Sequence, residues 1–469
     1  MQLLYGLALA VQDYVLAKLV HLAFLVLLTV AVYRFAAQSG AAWTGVVAAA
    51  LLLANDVVLV EAPVANIDIA VAFFFFMAVA LAVEFRERGA RPALVLSGVF
   101  CGCVAGSKIT GLAAIACVFP LVALGSLAHH RDRRLPNLAR DTVRFAAPAF
   151  ALVLPWLIKS YVYTGDPLYP VLWKYAGGVE WSDTLHEQFW RWQNSIGMGR
   201  TPGDYLLLPM RVILHGGGGY ENFAAWISKT WIVFLPLTVV FIPFVPVARR
   251  LLLPAALYFA VWAFSSQQTR FLISVLPLLA AATAVAASWV VDRIAAFAAA
   301  TNPSGRRGTV VRVALAGLVI TGALVVLGWA SRYVRDGSIE AARNLVADPP
   351  NLRGWTPDPV YTFVRRELPP SAKLMLLNIN HGFFLDREYI ADSFFEASQL
   401  NAVITAAGDR EGLARLFQQL GVTHVLWDRA PWVKFPPRLL EYLRDPTNAT
   451  LIYRSPDGPF TVYQLRSRG

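Results

Sequence analysis

Lys108, in the stretch CVAGSKITGLAAI at 103–115, places an ammonium inside a long run of otherwise apolar or small residues. No acidic residue lies nearby in sequence to pair with it. Lys159 in LPWLIKSYVYTGDPLYP and Arg270 in SSQQTRFLISVLP have the same character, each at the edge of an apolar stretch. Polar companions follow or precede them: Tyr161 and Asp166 after Lys159, Gln267 and Gln268 before Arg270. Cations gathered in this way suit an anionic phosphate, with arginine offering a two-pronged fork and lysine a point charge. The bland alternative is that long cations at helix ends reach out to lipid headgroups, and it applies best to Lys159.

Acidic candidates occur in LVEAPVANIDIAVAFFFF, where Glu61 and Asp68 flank a short polar link and Asp56 lies a turn or two deeper. A carboxylate there could accept a proton, hold a divalent metal ion or orient a cation. Asp68 also fits as a favourable charge at a helix start. Asp166 reads first as a turn residue before proline, and His21 as a packing residue on an apolar helix. HGGGGY at 215–220 lacks the Lys-Ser/Thr that would complete a phosphate loop and reads as a hinge. DTLHEQ at 183–188 has Asp, His and Glu within reach of one another, an arrangement common on exposed helices. Cys101, Cys103 and Cys117 lie in apolar runs without histidines at metal spacing. The sequon at 448–450 matters only if the host glycosylates exported segments.

The elements that must position these groups are membrane helices. Of the 469 residues 57% are hydrophobic and only 15% charged, with a mean hydropathy of +0.53, a balance foreign to soluble domains. The formal charge of +11 is concentrated in short arginine-rich links, which is the pattern of cytoplasmic loops and excludes a nucleic-acid reading. Ten apolar stretches near the length of a bilayer crossing are expected at about 15–37, 43–61, 67–85, 92–107, 109–128, 143–163, 229–248, 251–266, 271–292 and 310–331. Placing the links 86–91, 129–142, 249–250 and 293–309 in the cytoplasm puts every intervening link on the other side. Lys108, Lys159 and Arg270 then collect at one external rim, against the charge bias of the rest of the chain. An ionisable group at membrane depth costs about 2.5 kcal/mol or more unless paired or solvated, so this rim is the functional-site candidate.

Parity places the amino terminus outside as well, and MQLLYGLALAVQDY shows no basic segment or cleavage site of an export signal. A leading transmembrane helix and its external loop are therefore expected to be missing from this sequence. An external segment spans about 164–228, where Trp190 and Trp192 suit an amphipathic helix at headgroup level. Residues 333–469 change character: SAKLMLLNI, VTHVLWD, TLIYRS and FTVYQL read as strands and DREGLARLFQQLG as an amphipathic helix ended by Gly421. The expectation is a polytopic α-helical membrane domain over 1–332 and a small soluble extracytoplasmic α/β domain over 333–469.

The order of LLYGLALAVQDYVLAKLVHLAF, EAPVANIDIAVAFF, GCVAGSKITGLAAI, PWLIKSYVYTGDPLYPVLW, QQTRFLISVLPLL and LFQQLGVTHVLWD resembles bacterial integral-membrane glycosyltransferases of the GT-C fold. The closest look is to the protein O-mannosyltransferase-like and RgtA/B/C/D-like branch. The resemblance implies transfer of a sugar from a polyprenyl-phosphate-linked donor to a glycan, lipid or protein acceptor outside the bacterial inner membrane. By it, Lys108 and Arg270 match positions near the donor phosphate, and Asp68 matches the carboxylate at the outer start of an early helix. Family members also carry a first helix and an external loop with an acidic residue taken as the general base. Nothing before Met1 supplies it here, so the start has been set too late, Asp68 has taken over, or the chain is inactive. No organic cofactor is implied, and a divalent metal stays open. Two rivals are a lipid or solute transporter or flippase, and an inactive envelope-assembly protein. Against the transporter, the polar groups lie at one interface instead of the midplane, and no inverted repeat is visible.

Overall fold

The computed structural model describes residues 1–11, 14–129, 134–179, 181–300, 306–332, 359–379, 382–392, 399–429, 435–456 and 458–466. The chain divides into two compact units, Met1–Trp181 with Trp190–Ser338, and Ser182–Phe189 with Ile339–Gly469.

The first unit is helical. Its elements are α1 (Gln2–Val11), α2 (Tyr14–Ser39), α3 (Ala42–Leu53), α4 (Asp56–Glu61), α5 (Asp68–Arg88), α6 (Arg91–Ser107), α7 (Leu112–His129), α8 (Arg134–Thr164), α9 (Trp173–Ala176), α10 (Asp183–Ser195, shared between the units), α11 (Pro202–Leu214), α12 (Trp231–Phe241), α13 (Pro246–Ala263), α14 (Leu276–Ala300) and α15 (Arg306–Ala330). Among the described residues six helices are long and apolar enough to cross a membrane: Val15–Ser39, Asp68–Arg88, Ile109–His129, Arg134–Thr164, Leu276–Ala300 and Arg306–Ala330. Four of the ten expected crossings differ from a single long helix. The run 43–61 breaks at Ala54 and Asn55, 92–107 forms the 17-residue α6, 229–248 yields only the 11-residue α12, and 251–266 is cut short where the 18-residue α13 ends at Ala263.

The break has a physical cause. Asn55 takes an extended conformation (φ −103°, ψ 118°), and its buried amide donates to Leu51 O at 2.8 Å and Leu52 O at 3.1 Å. Its Oδ1 accepts from Trp231 Nε1 at 2.8 Å and Ser228 N at 3.3 Å. A buried amide is tolerated only when satisfied in this way, and the bonds pin the α3–α4 corner to the start of α12.

Helices α5 and α14 form the centre, with 67% and 61% of their apolar windows buried, whereas α8 and α15 have 17% and 11% and turn most of their surface outward, as lipid-facing helices do. The closest approach brings α6 against α8 through Gly98, Gly102 and Gly106, spaced four apart. A Cβ at Gly98 would stand 2.1 Å from Phe145 O, and one at Gly102 2.8 Å from Ala149 O. Small residues at this spacing let helix backbones meet where the surrounding lipid provides no hydrophobic drive. The same contact fixes the end of α6, where Lys108 follows.

The second unit carries α16 (Pro359–Glu367), β1 (Lys373–Leu377), β2 (Glu388–Ala391), α17 (Gln399–Ala406), α18 (Arg410–Gln419), β3 (His424–Asp428), α19 (Pro437–Arg444), β4 (Ala449–Arg454) and β5 (Phe460–Leu465). The sheet order is β2-β1-β3-β5-β4, with β1 parallel to β2 and β3 and the remaining pairs antiparallel. One face buries Met375, Val425 and Tyr463 against Ile404 of α17, Phe417 of α18 and Leu443 of α19. The other buries Leu374, Leu426 and Val462 against Val360, Tyr361 and Val364 of α16. Asp409 caps α18 by accepting from Gly412 N at 2.8 Å, and Gly421 ends it at φ +65°. The strand β2 is an addition to the four expected. Asn448 of the sequon is buried, with Oδ1 accepting from Arg410, so its amide is not displayed for modification.

Candidate active site

Three short segments converge where α5 begins: the α4–α5 link, the turn between α6 and α7, and the 3-10 segment Thr269–Ser274, which packs on α4, α5, α13 and α14. Lys108 leaves the end of α6 in an extended conformation (φ −152°, ψ 134°) before the tight turn Ile109–Gly111. Its ammonium lies 3.7 Å from Asp68 Oδ1 and 3.0 Å from the centroid of the Phe271 ring. The partner missing from the local sequence is thus supplied from the start of α5. Arg270 places its Cζ 5.0 Å from the same ring and donates from Nε to Gln268 Oε1 at 2.9 Å. Its two terminal nitrogens make no hydrogen bond among the described residues.

The buried turn before Arg270 holds the guanidinium in place. Gln267 Nε2 donates to Ala263 O at 3.0 Å, Gln268 O accepts from Trp262 Nε1 at 2.8 Å, and Thr269 N donates to Phe223 O at 2.9 Å. Gln267 Oε1 and the Thr269 hydroxyl are buried without partners among the described residues.

On the acidic side, Glu61 Oε2 accepts from Asn66 Nδ2 at 2.5 Å, and Asn66 O accepts from the Tyr5 hydroxyl of α1. Glu61 lies within electrostatic reach of Asp68 and Arg270. His21 is fully buried, edge-on to Tyr5 with centroids 6.4 Å apart. Its ring lies near the backbone of Glu61, Ala62 and Val64, yet neither nitrogen reaches hydrogen-bond geometry among the described residues.

The structure therefore gathers Lys108, Arg270, Asp68, Glu61, Gln267 and Gln268 at one rim. Lys159 stays outside this contact network: it is exposed on α8, 5.9 Å from the Trp156 ring. Tyr161 is 61% exposed. Asp56 opens α4 and makes no ion pair among the described residues. Asp166 is buried, but its two carboxylate oxygens accept from Leu168 N at 2.7 Å and Leu172 N at 3.1 Å, an arrangement that shapes the turn. Among the described residues no group of three His, Cys, Asp or Glu is placed to hold a metal ion, DTLHEQ included. Sequence reasoning missed Phe271, Asn66 and Tyr5. Phe271 could have been found, because an aromatic ring directly after Arg270 in a polar turn is a natural rest for a cation.

Outside the membrane-spanning segments, Asp204 sits in a capping box: the Thr201 hydroxyl and backbone and the Arg211 guanidinium hold its carboxyl at about 2.

The helical unit thus carries a rim of two cations and two carboxylates. The family model for dolichyl-phosphate-mannose-protein mannosyltransferase matches residues 6–166. Crystallised ArnT from Cupriavidus metallidurans, bound to undecaprenyl phosphate, superimposes with a TM-score of 0.60 at 15% identity over 98% of this chain and 86% of its own. The oligosaccharyltransferase of Archaeoglobus fulgidus in its apo form gives a TM-score of 0.52 at 16% identity over 99% of this chain and 66% of its own. No curated protein matches the chain by sequence. At these identities the likeness to the solved structures shows a shared fold.

Proposed function

We propose that this protein transfers a sugar from a polyprenyl-phosphate carrier to an acceptor hydroxyl at the rim where Lys108, Arg270, Asp68 and Glu61 meet. The observation that carries the reading is the open fork of Arg270 beside Lys108, two cations resting on one Phe271 ring with a carboxylate at 3.7 Å. The Arg270 terminal nitrogens take two phosphate oxygens of the donor and Lys108 a third contact. Asp68 accepts the acceptor's proton as the acceptor oxygen bonds to the sugar's anomeric carbon. The bond from that carbon to the phosphate oxygen breaks, and its electron pair stays on the polyprenyl phosphate. As Asp68 gains a proton, Lys108 loses its carboxylate partner and its charge is released to the leaving phosphate, so base and electrophile act in concert. Glu61, fixed by Asn66, orients Arg270. The similarity to ArnT, whose structure holds undecaprenyl phosphate, supports a donor of this class. In this reading the rim and the α/β unit face the non-cytoplasmic side of a bacterial inner membrane.

The test is turnover of a polyprenyl-phosphate sugar by the full chain in lipid nanodiscs. Removing one preorganised charge from a developing anion costs about 10²–10³ in kcat, so Arg270→Ala and Lys108→Ala should each fall at least that far while still inserting. Arg270→Lys should recover only part, because the fork is lost. Wild-type rates in both alanine variants refute the assignment.

A further inference from the structure

At the opposite end of the helix bundle the arginines outnumber the acids that could neutralise them. Helix α5 has 21 residues, roughly 30 Å at 1.5 Å per residue, so its last turn lies about a hydrocarbon thickness from Asp68. In that turn Arg86 has Nε and Nη1 buried, with no hydrogen-bond partner among the described residues. Arg249 and Arg250, from the first turns of α13, lie within electrostatic reach of it. Of the neighbouring carboxylates, Glu87 pairs with Arg250 and Glu84 lies 3.6 Å from Arg88, so neither takes Arg86. His129 Nε2 stands 3.2 Å from Phe85 O and 3.1 Å from Arg86 O, tying α7 to the end of α5. Beside this junction opens a cavity of about 410 Å³ lined by Phe85, Gly89, Arg91, Pro92 and His129.

An arginine that merely reaches toward headgroups leaves its guanidinium in a wet, polar layer. Arg86 does the reverse, because two of its donors are enclosed by protein and aimed at no acceptor. Buried donors without acceptors are rare in folded proteins, and an unpaired buried charge is rarer. Three guanidiniums with one carboxylate among them, Glu87 on Arg250, make a receptor for a compact anion that presents several oxygens.

We propose that Arg86, Arg249 and Arg250 form a second anion site, which takes a phosphate-bearing group at the membrane surface remote from the transferase rim. The chemistry fits the phosphodiester of an acidic phospholipid headgroup and a soluble phosphate alike. The site does not depend on the sugar-transfer reading, and its test reads lipid, not turnover.

The full chain is reconstituted in nanodiscs of phosphatidylcholine with one-third phosphatidylglycerol, exchanged into detergent, and its retained phosphatidylglycerol counted by native mass spectrometry. Wild type is expected to keep phosphatidylglycerol in preference to phosphatidylcholine. Arg86→Gln and, independently, Arg249→Gln should each lower that retention at least tenfold. Arg249 is exposed, so its loss leaves packing intact even if Arg86→Gln folds poorly. Arg306→Gln/Arg307→Gln removes charge from another basic segment and should retain lipid as wild type does. Inorganic phosphate is then added at 10 mM to protein in pure phosphatidylcholine. A rise in melting temperature that vanishes in Arg249→Gln names a soluble phosphate as the occupant, whereas no rise together with specific lipid retention names the headgroup. Equal phosphatidylglycerol retention by wild type and both single variants, with no phosphate effect, overturns the site; so does an equal loss in the Arg306/Arg307 control, which would mean general charge alone.

Discussion

Replacing Asp68 by asparagine tests the rim's electrostatics more sharply than removing either cation. The pair Lys108–Asp68 is 3.7 Å apart with side-chain exposures of 23% and 7%. At an effective dielectric near 20 the gross attraction is 332/(20 × 3.7), roughly 4.5 kcal/mol. Desolvation opposes most of that, but it is not recovered when only one partner is removed. Asp68→Asn leaves Lys108 beside Arg270, with the two cations resting on the one Phe271 ring. The expected loss is about 2–4 kcal/mol of stability, with transfer lost as well. Lys108→Met on that background should restore most of the stability and none of the activity. Thermal unfolding of the four proteins of this double-mutant cycle in nanodiscs, with turnover measured alongside, reads both effects. A coupling energy below about 0.5 kcal/mol would mean that the two charges are independently solvated, and the concerted role given to Lys108 would fall.

Three further outcomes follow from the packing. Asn55→Leu strips acceptors from Trp231 Nε1 and Ser228 N and should cost about 2–6 kcal/mol, since each of the two buried donors left unpaired costs about 1–3 kcal/mol; unchanged melting would refute the corner's role. Gly102→Leu should push α6 from α8 and misplace Lys108, lowering both stability and turnover, whereas the same change at Gly317, where a Cβ meets nothing within 4 Å, should be neutral; melting and transfer assays of both compare them. In the α/β unit burial pushes the His424 imidazole below its ordinary value. The unfolded chain therefore binds the proton more readily, so this contribution is fully present above about pH 6.5 and is lost as pH falls through the lower folded value. Protection of the β3 amides in the full chain, taken relative to their intrinsic exchange rate at each pH, should fall between neutral and mildly acidic pH, and His424→Gln should flatten that slope.

Much of this architecture is written in local pattern. The long apolar runs of α2, α5, α14 and α15, the short apolar stretches of β1, β3, β4 and β5, and the Asp409 to Gly421 helix signals all depend on residues within a few positions of one another. What escaped is long-range. Asn55 looks like one polar residue in an apolar run until Trp231 and Ser228 arrive from the far side of the chain. The four-residue β2 has two exposed and two half-buried positions, so it shows no alternation. Lys159 has the same sequence character as Lys108 but not the same fate. The difference lies in α6 packing glycine-to-backbone against α8 while α8 turns its own surface outward.

That contrast also explains why the rim's charges come from separate helices. A carboxylate and an ammonium placed one turn apart on a single membrane helix would neutralise each other locally, with no geometry left to disturb. Asp68 and Lys108 instead belong to different helices, and Arg270 to a turn between two others, so their spacing is set by bundle packing. An anion that enters this rim competes with Asp68 for Lys108, and it meets an arginine fork already aimed by Gln268. Shifts in helix packing thus change charge pairing directly, which is why Gly102, remote from any reacting atom, is expected to matter to transfer as well as to stability.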